Sequence, residues 1–193
     1  MTLHDDAVSL LRGFDPPFGQ RAVREAMLAF LAARPDGVWR SCEPGHITAS
    51  ALVVDPARRT VLLTLHRRLG IWLQLGGHCE PGDDSVRAAA LREASEESGI
   101  AGLAIDPEPI DLDVHPLTCS LGVPTRHLDI RFLVFAPAGA QPVISAESLD
   151  LAWFGLDELP MPLGESVAEL VDRATARLAR RARPGRRISA VIE

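Results

Sequence analysis

Six carboxylates lie between Gly76 and Ile100, against only two arginines, Arg87 and Arg92. The acidic residues are Glu80, Asp83, Asp84, Glu93, Glu96 and Glu97. On a helix, residues three and four apart are neighbours, so the last three would share one face and repel one another. A divalent cation offsets that repulsion. Oxygen ligands without cysteine pairs or paired histidines favour Mg²⁺ or Mn²⁺, and Mg²⁺ commonly binds substrate phosphates as well. The spacing therefore predicts a metal site for a phosphorylated substrate.

The residues around these carboxylates support that interpretation. Arg92 stands next to Glu93 and one turn before Glu96, so it can hold a carboxylate by a charge-assisted hydrogen bond. Upstream, Gly76 and Gly77 permit backbone angles that turn a carbonyl towards an ion. Gly99 suits the left-handed position at the end of a helix. We expect a helix over roughly residues 84–98 that positions the acidic face.

The remaining elements follow from hydrophobic period and turn residues. Apolar residues at helical spacing predict one N-terminal helix in the segment 20–37, and a later helix over 164–182. Short apolar or alternating runs bounded by turn residues predict strands at 46–55, 60–66, 71–75, 110–115, 127–137 and 151–154. Strands mixed with a few helices predict an α/β fold, with a mixed sheet covered by helices on its faces.

Composition narrows the function classes. The 193 residues, 47% apolar and 24% charged, indicate one globular domain with terminal elaborations. A net charge of −6 provides no global field that would draw the protein to nucleic acid or an anionic membrane, so neither is expected as a partner. Three cysteines without a CxxC pair, an acidic N-terminus and no long apolar run predict an unprocessed cytoplasmic protein outside the membrane. All twenty basic side chains are arginine, which excludes lysine nucleophiles and Schiff bases.

The acidic segment resembles the Nudix box of the Nudix hydrolase family, G-x5-E-x7-R-E-U-x-E-E-x-G-U, where U is a bulky apolar residue. The run REASEESGI matches every charged and glycine position of its second half. There are three departures: Ala94 is small, an aspartate replaces the first glutamate, and one residue is inserted between Gly77 and Arg92. Either Asp83 or Asp84 can take the place of that glutamate. The likeness extends over roughly residues 45–160.

The resemblance implies a Nudix-like α/β/α sandwich with a mixed sheet. We expect residues 1–40 to form an N-terminal helical extension, 41–183 the Nudix domain and 184–193 a C-terminal tail. Such proteins hydrolyse a diphosphate linkage in a nucleoside diphosphate derivative, such as an ADP-ribose-like compound, a nucleotide sugar or a nucleoside triphosphate, and are often homodimers. In the family, a proline at the position of Pro116, sixteen residues after Ile100, is associated with ADP-ribose, but the sequence leaves the substrate open.

The resemblance also implies roles for particular residues. The metal ligands would be Glu93, Glu96 and Glu97 together with the Gly77 carbonyl, and Arg92 would assist catalysis beside them. The general base would be either Glu93 or a loop glutamate after the box, for which Glu147 is the candidate.

Four further residues are candidates for binding the substrate. Arg67 and Arg68 would clamp phosphate, although a solvated hairpin turn also explains them. His127 and Asp129 alternate along one strand and so face the same side, from which they could reach the substrate together.

Other features receive a structural interpretation. His46, His78, His115 and His127 are scattered along the chain, and a lone histidine is more often structural than catalytic. Cys79 has no evident base partner and is interpreted as small packing. The arginines of the C-terminal region are expected to form a solvated helix end rather than a nucleic-acid site; they are Arg173, Arg177, Arg180, Arg181, Arg183, Arg186 and Arg187.

Two other functions stay open at this point. An enzyme like isopentenyl-diphosphate isomerase shares the fold, but it would require a catalytic cysteine and a degraded box. A catalytically silent nucleotide-binding regulator would keep the fold without turnover.

Overall fold

The computed structural model describes residues 1–17, 19–118, 122–145 and 148–182. The helices are α1 (Leu3–Gly13), α2 (Arg21–Ala33), α3 (Val86–Ser98) and α4 (Val167–Ala182). The strands are β1 (His46–Asp55), β2 (Thr60–His66), β3 (Trp72–Leu73), β4 (Leu75–His78), β5 (Ala104–Thr118), β6 (Pro124–Phe135) and β7 (Ser148–Gly155). They form a mixed sheet in the order β3-β2-β1-β6-β5, in which β4 also pairs with β1 and β7 with β2.

The parallel pair of β1 and β6 forms the centre of the sheet, in register from His46 opposite His127 to Val54 opposite Phe135. Every residue of β1 is buried. Because side chains alternate along a strand, the pair presents two faces. On one face, Ile47 and Ile130 pack in the same core as residues of α1, α2 and α3. On the other, apolar residues near the ends of the same strands pack on α4. The predicted sandwich of helices on both faces of a mixed sheet is confirmed.

Helix α3 lies close to the sheet because its inner face is made of alanine. Ala89, Ala90 and Ala94 are completely buried. Ser85 caps the start of the helix, where its side chain accepts a hydrogen bond from the Ala88 N–H. Gly99 ends it in the left-handed conformation, with φ +65°, as the sequence predicts.

The N-terminal region contains two helices rather than the single one predicted. The missed helix is α1, and its signal was present: Thr2 and Asp5 form a capping box. Buried Leu3, Ala7 and Leu11 then follow at a spacing of four. Burying a leucine side chain contributes about 1.5–3 kcal/mol, so this face stabilises the helix well beyond its own propensity.

Helix α1 also acts on the helix that carries the acidic face. The Asp6 carboxylate accepts a hydrogen bond of 2.8 Å from the Val86 N–H, which is one of the donors left without a helical partner in the first turn of α3. The N-terminal helices therefore share a core with the sheet and help to fix where α3 begins.

The run predicted as one strand at 71–75 is two strands in the structure. Trp72 and Leu73 pair with β2, whereas the chain from Leu75 onwards pairs with β1. Gln74 lies between them, and the change of partner carries Gly76 and Gly77 under α3.

The predicted solvated helix end fits Arg180 and Arg181, which are exposed at the end of α4, but it is wrong for Arg173 and Arg177, which are partly buried and form ion pairs with the sheet. Arg173 forms an ion pair with Asp111, and Arg177 with Asp106, where both aspartates are buried in β5. Arg181 also pairs with Asp106. The amphipathic helix lies against the sheet, so the long arginine stems reach its acidic edge. Residues 183–193, with Arg183, Arg186 and Arg187, lie outside the described residues. Within the described ranges, no helix is long and apolar enough to cross a membrane.

Candidate active site and a histidine cluster

Arg92 organises the acidic face of α3. Its guanidinium donates to both carboxylate oxygens of Asp83 at 3.0 and 3.1 Å, to Glu93 at 3.0 Å and to Glu96 at 3.1 Å. It also donates to the backbone carbonyl of His78 at 3.0 Å, which ties the helix to β4. The hydrogen bond to Asp83 is the largest cause of a raised Arg92 pKa. We call Asp83, Glu93, Glu96 and Glu97, together with Arg92, the carboxylate cluster.

Two glycines bring β4 against this cluster. The Gly76 N–H donates to the Glu97 carboxylate at 3.2 Å. A Cβ at Gly77 would lie 2.7 Å from Glu93 Oε1, so the backbone approaches the carboxylate more closely than any side chain allows. Gly76 has φ +143°, a conformation that favours glycine.

The four residues predicted as metal ligands, Gly77, Glu93, Glu96 and Glu97, therefore come together where β4 meets α3. Arg92 donates hydrogen bonds to two of these carboxylates, and the Gly76 N–H donates to the third. Because Gly77 has no side chain, its backbone lies close to the Glu93 carboxylate. A donor set of carboxylates and backbone oxygen fits a hard divalent cation such as Mg²⁺.

The structure distinguishes the two aspartates that the sequence left open. The Asp83 side chain is only 5% exposed and, besides Arg92, accepts the Glu80 N–H at 2.7 Å, whereas Asp84 is exposed. Gly77 and Asp83 keep the G-x5-E spacing of the box. The inserted residue therefore lies between Asp83 and Arg92.

A family model, described as NUDIX domain, matches residues 44–174, more than half of the chain. The chain belongs to the Nudix hydrolase family. The predicted family is thus confirmed.

Three solved structures show the same fold. A MutT Nudix hydrolase from Burkholderia pseudomallei is 24% identical, with 67% of this chain and 97% of that one covered and a TM-score of 0.52. A Caenorhabditis elegans Ap4A hydrolase is 22% identical, with 69% and 97% covered and a TM-score of 0.55. The Nudix domain of Shewanella oneidensis NrtR, in complex with ADP ribose, is 21% identical, with 78% and 97% covered and a TM-score of 0.54.

The proposed phosphate clamp lies at the turn between β2 and β3 of the Nudix sheet. Arg67 and Arg68 are both exposed, and Arg67 donates to the Ser148 carbonyl at 3.1 Å. Glu147 lies outside the described residues. The loop that leads towards it is held near α3, because the Val143 N–H donates to the Ser98 carbonyl at 2.7 Å.

Asp129 does face the same side of the sheet as His127, but it is 1% exposed. Its carboxylate accepts hydrogen bonds from Thr48 at 2.9 Å, from Ser50 at 2.8 Å and from Arg131 at 2.8 Å. The acceptor positions are therefore largely occupied by the protein itself. Its predicted contact with substrate stays a prediction, and this geometry gives it no support.

Arg131 is a buried residue that the sequence analysis missed. It is 2% exposed and pairs with Asp111 at 3.0 Å, Asp113 at 2.7 Å and Asp129 at 2.8 Å. It also donates to Ser166 just before α4. The network joins β5, β6 and α4, and its paired charges offset the cost of burial. Alternating charges in DLD and DIR at 111–113 and 129–131 were the signal, since alternate residues share a face.

The histidines are not scattered in space. His46, His78 and His127 lie on β1, β4 and β6, and their ring centroids are 5.0 Å apart in each of the three pairs. We call these three residues the histidine cluster. Burial lowers the pKa of His78 to about 4 and that of His127 to about 3, and it also lowers the pKa of His46. The rings are therefore neutral at neutral pH.

Cys79 is buried within the Nudix box, between Gly77 and Asp83, and belongs to the core that α1, α2 and α3 share with the sheet. Burial raises the pKa of its thiol to about 12, so the thiol is protonated at neutral pH. This agrees with packing rather than nucleophilic chemistry.

Proposed function

We propose that this chain is a metal-dependent hydrolase that cleaves a diphosphate linkage in a nucleoside diphosphate derivative. The observation that carries the proposal is the arrangement around Arg92, which bonds Asp83, Glu93 and Glu96 and also the His78 carbonyl of β4. Carboxylates this close together repel one another, which costs the fold stability, whereas a bound divalent cation is attracted to all of them.

In this proposal Glu93, Glu96, Glu97 and the Gly77 carbonyl hold Mg²⁺, with Mn²⁺ as a substitute. The ion, when bound, supplies charge neutralisation on phosphate oxygens and activation of water. Arg92 acts as a positioning residue, because it fixes two of the carboxylates and their distance from β4. Asp83 in turn orients Arg92 through two hydrogen bonds.

The reaction is attack of water on phosphorus. A bond forms between the water oxygen and one phosphorus, the P–O bond to the bridging oxygen breaks, and two phosphorylated products leave. A proton from the attacking water passes to a carboxylate, either Glu93, which lies in the carboxylate cluster, or Glu147, which belongs to the connection between β6 and β7. Val143 in the same connection donates its N–H to the Ser98 carbonyl at the end of α3.

For the substrate we propose a soluble nucleotide of the ADP-ribose or diadenosine polyphosphate class. The structures with the same fold include an Ap4A hydrolase and a Nudix domain complexed with ADP ribose. Arg67 and Arg68, exposed at the β2–β3 turn, are suited to bind its phosphates. His127 stays a candidate for substrate contact. We keep the cytoplasm as the proposed location and a homodimer as the proposed assembly.

The test is a screen of ADP-ribose, nucleotide sugars, diadenosine polyphosphates and nucleoside triphosphates in H₂¹⁸O with Mg²⁺. Mass spectrometry of the products identifies which phosphorus gains ¹⁸O. Turnover should disappear with EDTA and in Glu97→Gln. Turnover that survives both treatments contradicts the assignment of metal and carboxylates.

Two outcomes would favour the other functions. Tight binding of ADP-ribose without turnover of any compound would favour a silent nucleotide-binding regulator. Isomerisation of isopentenyl diphosphate would favour the isomerase, but the buried, protonated Cys79 is poorly suited to that chemistry.

A further inference from the structure

The histidine cluster lies on the opposite face of the sheet from the carboxylate cluster. In β4, Gly77 faces Glu93 on α3, and the next residue, His78, points to the other side. There it meets His46 and His127, which stand opposite each other in the parallel pairing of β1 and β6. One ring nitrogen from each histidine can be chosen so that all three lie within 4.8 Å of one another.

Two of these nitrogens are buried without a hydrogen-bond partner in the described part of the chain. They are Nε2 of His46 and Nε2 of His127. His46 is 1% exposed, so its ring is out of contact with bulk solvent. A buried polar atom without a partner costs about 1–3 kcal/mol, and such an atom in a native protein calls for an explanation such as an ion.

The other nitrogen of His46 shows how its ring is oriented. Its Nδ1 lies 3.2 Å from the carbonyl oxygen of Cys42. A carbonyl only accepts hydrogen bonds, so Nδ1 carries the proton and Nε2 keeps its lone pair towards the cluster. Histidines that bind metals usually donate their second ring nitrogen to a carbonyl or carboxylate in this way.

His115 is adjacent but is engaged elsewhere. Its ring centroid is 5.4 Å from that of His127, and its Nδ1 lies 2.9 Å from the Asp113 carboxylate. The carboxylate of Asp129, on the same face, accepts hydrogen bonds from Arg131 and from the hydroxyls of Thr48 and Ser50. Among the described residues, the group of converging ligand atoms therefore consists of three imidazole nitrogens.

We propose that His46, His78 and His127 form a second metal site, which binds a divalent transition-metal ion of the Zn²⁺ type. Imidazole suits Zn²⁺, Cu²⁺ and Ni²⁺, whereas Mg²⁺ prefers oxygen ligands, so the two faces of the sheet select different ions. Three histidines leave one position of a tetrahedral ion open for water or a substrate oxygen.

Binding requires a modest contraction of the cluster. Zinc lies about 2.0–2.1 Å from each histidine nitrogen, which places tetrahedral ligands about 3.4 Å apart. The ligand atoms now lie within 4.8 Å of one another, so the imidazole rings would have to rotate towards a common centre when the ion binds. The pairing of β1 with β4 and β6 already holds the three residues side by side.

The experiment measures Zn²⁺ binding to the full chain after EDTA treatment and dialysis, by titration calorimetry and elemental analysis. We expect one tightly bound Zn²⁺ per chain that excess Mg²⁺ does not displace. Binding should weaken at least about 100-fold in His46→Gln and His127→Gln. It should persist in His4→Gln, whose ring bonds to the Leu31 carbonyl in the N-terminal helices, and in Glu97→Gln.

Substitution of Co²⁺ in the wild-type chain tests the ligands even if the histidine variants fail to fold. Three nitrogen ligands in a four- or five-coordinate site give intense visible absorption, whereas an octahedral oxygen site gives weak absorption. No bound Zn²⁺, unchanged binding in both histidine variants, loss of Zn²⁺ in Glu97→Gln or a weak octahedral spectrum would each overturn the proposal. None of these readouts depends on nucleotide hydrolysis, so failure here is distinct from failure of the proposed function.

Discussion

The carboxylate cluster and the histidine cluster lie on opposite sides of the same strand, β4. They differ in how far apart their residues are in the sequence. The whole carboxylate cluster comes from one loop and the helix that follows it, within residues 83–97. The histidine cluster takes one residue from each of three strands far apart in the chain. Helical periodicity makes the first arrangement visible in the sequence, whereas only strand register creates the second.

The charges differ as well. The carboxylate cluster is ionic, half open to solvent and held by a cationic side chain, so it suits a hard cation that exchanges with substrate. The histidine cluster is neutral and more deeply buried, which suits a borderline metal ion. Substitutions that affect one cluster should therefore leave the chemistry of the other intact.

The largest effect is expected from Glu97→Gln. This substitution removes a ligand charge but keeps the shape, so kcat/KM with Mg²⁺ should fall by at least about 100-fold, beyond the 10–100-fold typical of groups that only support a ligand. Glu80→Gln, an exposed carboxylate in the preceding loop, is the matched control and should stay near wild type. Steady-state kinetics measure kcat/KM for both variants and the wild-type chain. Equal losses in the two variants would mean that total charge matters rather than the cluster.

Gly77→Ala separates geometry from charge. The new methyl group would lie 2.7 Å from Glu93 Oε1, and that carboxylate is the flexible end of a side chain. We expect activity to fall about 10- to 100-fold. The free energy of unfolding should change by less than about 1 kcal/mol, because the side chain can move aside.

Gly76→Ala is the contrasting variant for this test. Its methyl group would lie 2.5 Å from the Ser50 Cα, a backbone atom that cannot move aside as a side chain can. The φ of +143° at this position also disfavours alanine. Here we expect a loss of about 1–3 kcal/mol in stability, measured by urea denaturation. Full activity in Gly77→Ala would show that catalysis does not depend on the position of the Glu93 carboxylate.

Asp83→Asn and Asp84→Asn sharpen the assignment inside the box. Asp83 holds Arg92 by two hydrogen bonds, so its neutral analogue should lower kcat/KM about 10-fold, chiefly through kcat, since Arg92 positions the ligands. Asp84→Asn should remain within about 2-fold, because exposed substitutions usually have small effects. The reverse order would assign the glutamate position of the box to Asp84.

The pH dependence of stability, measured with EDTA present, tests the histidine cluster rather than the carboxylate cluster. The pKa of His127 is about 3 in the folded chain against 6.5 for an ordinary histidine. Between these values the unfolded chain binds a proton that the folded chain does not. The contribution of His127 to the free energy of unfolding should therefore be fully present above pH 6.5. It should decrease towards pH 3, by at most about 1.4 kcal/mol per pH unit.

His127→Gln is the comparison for the pH measurement. It cannot take up the proton, so urea denaturation between pH 4 and 7 should show a shallower decline than in the wild-type chain. Identical slopes would indicate that His127 is not buried as the structure has it.

Much of the fold was predictable because its signals are local. The strand at 46–55, the strand at 60–66 and the helix up to Ser98 follow from alternation, apolar runs and a glycine cap. Helix α1 was not predicted although Thr2 and Asp5 form a capping box, because a helix of this length depends on tertiary packing more than on its own propensity. The split of 71–75 into β3 and β4 was beyond the sequence, because pairing partners are chosen by the whole sheet.

The sequence by itself determined the family and the acidic face of α3, because helical neighbours three and four apart are close by geometry alone. Tertiary structure decided which aspartate joins Arg92, because an inserted residue shifts the loop and only packing shows where the extra length is absorbed. It also decided that the buried aspartates bind arginines and that three distant histidines converge. Contacts between strands depend on register, and register is a property of the folded sheet rather than of any segment.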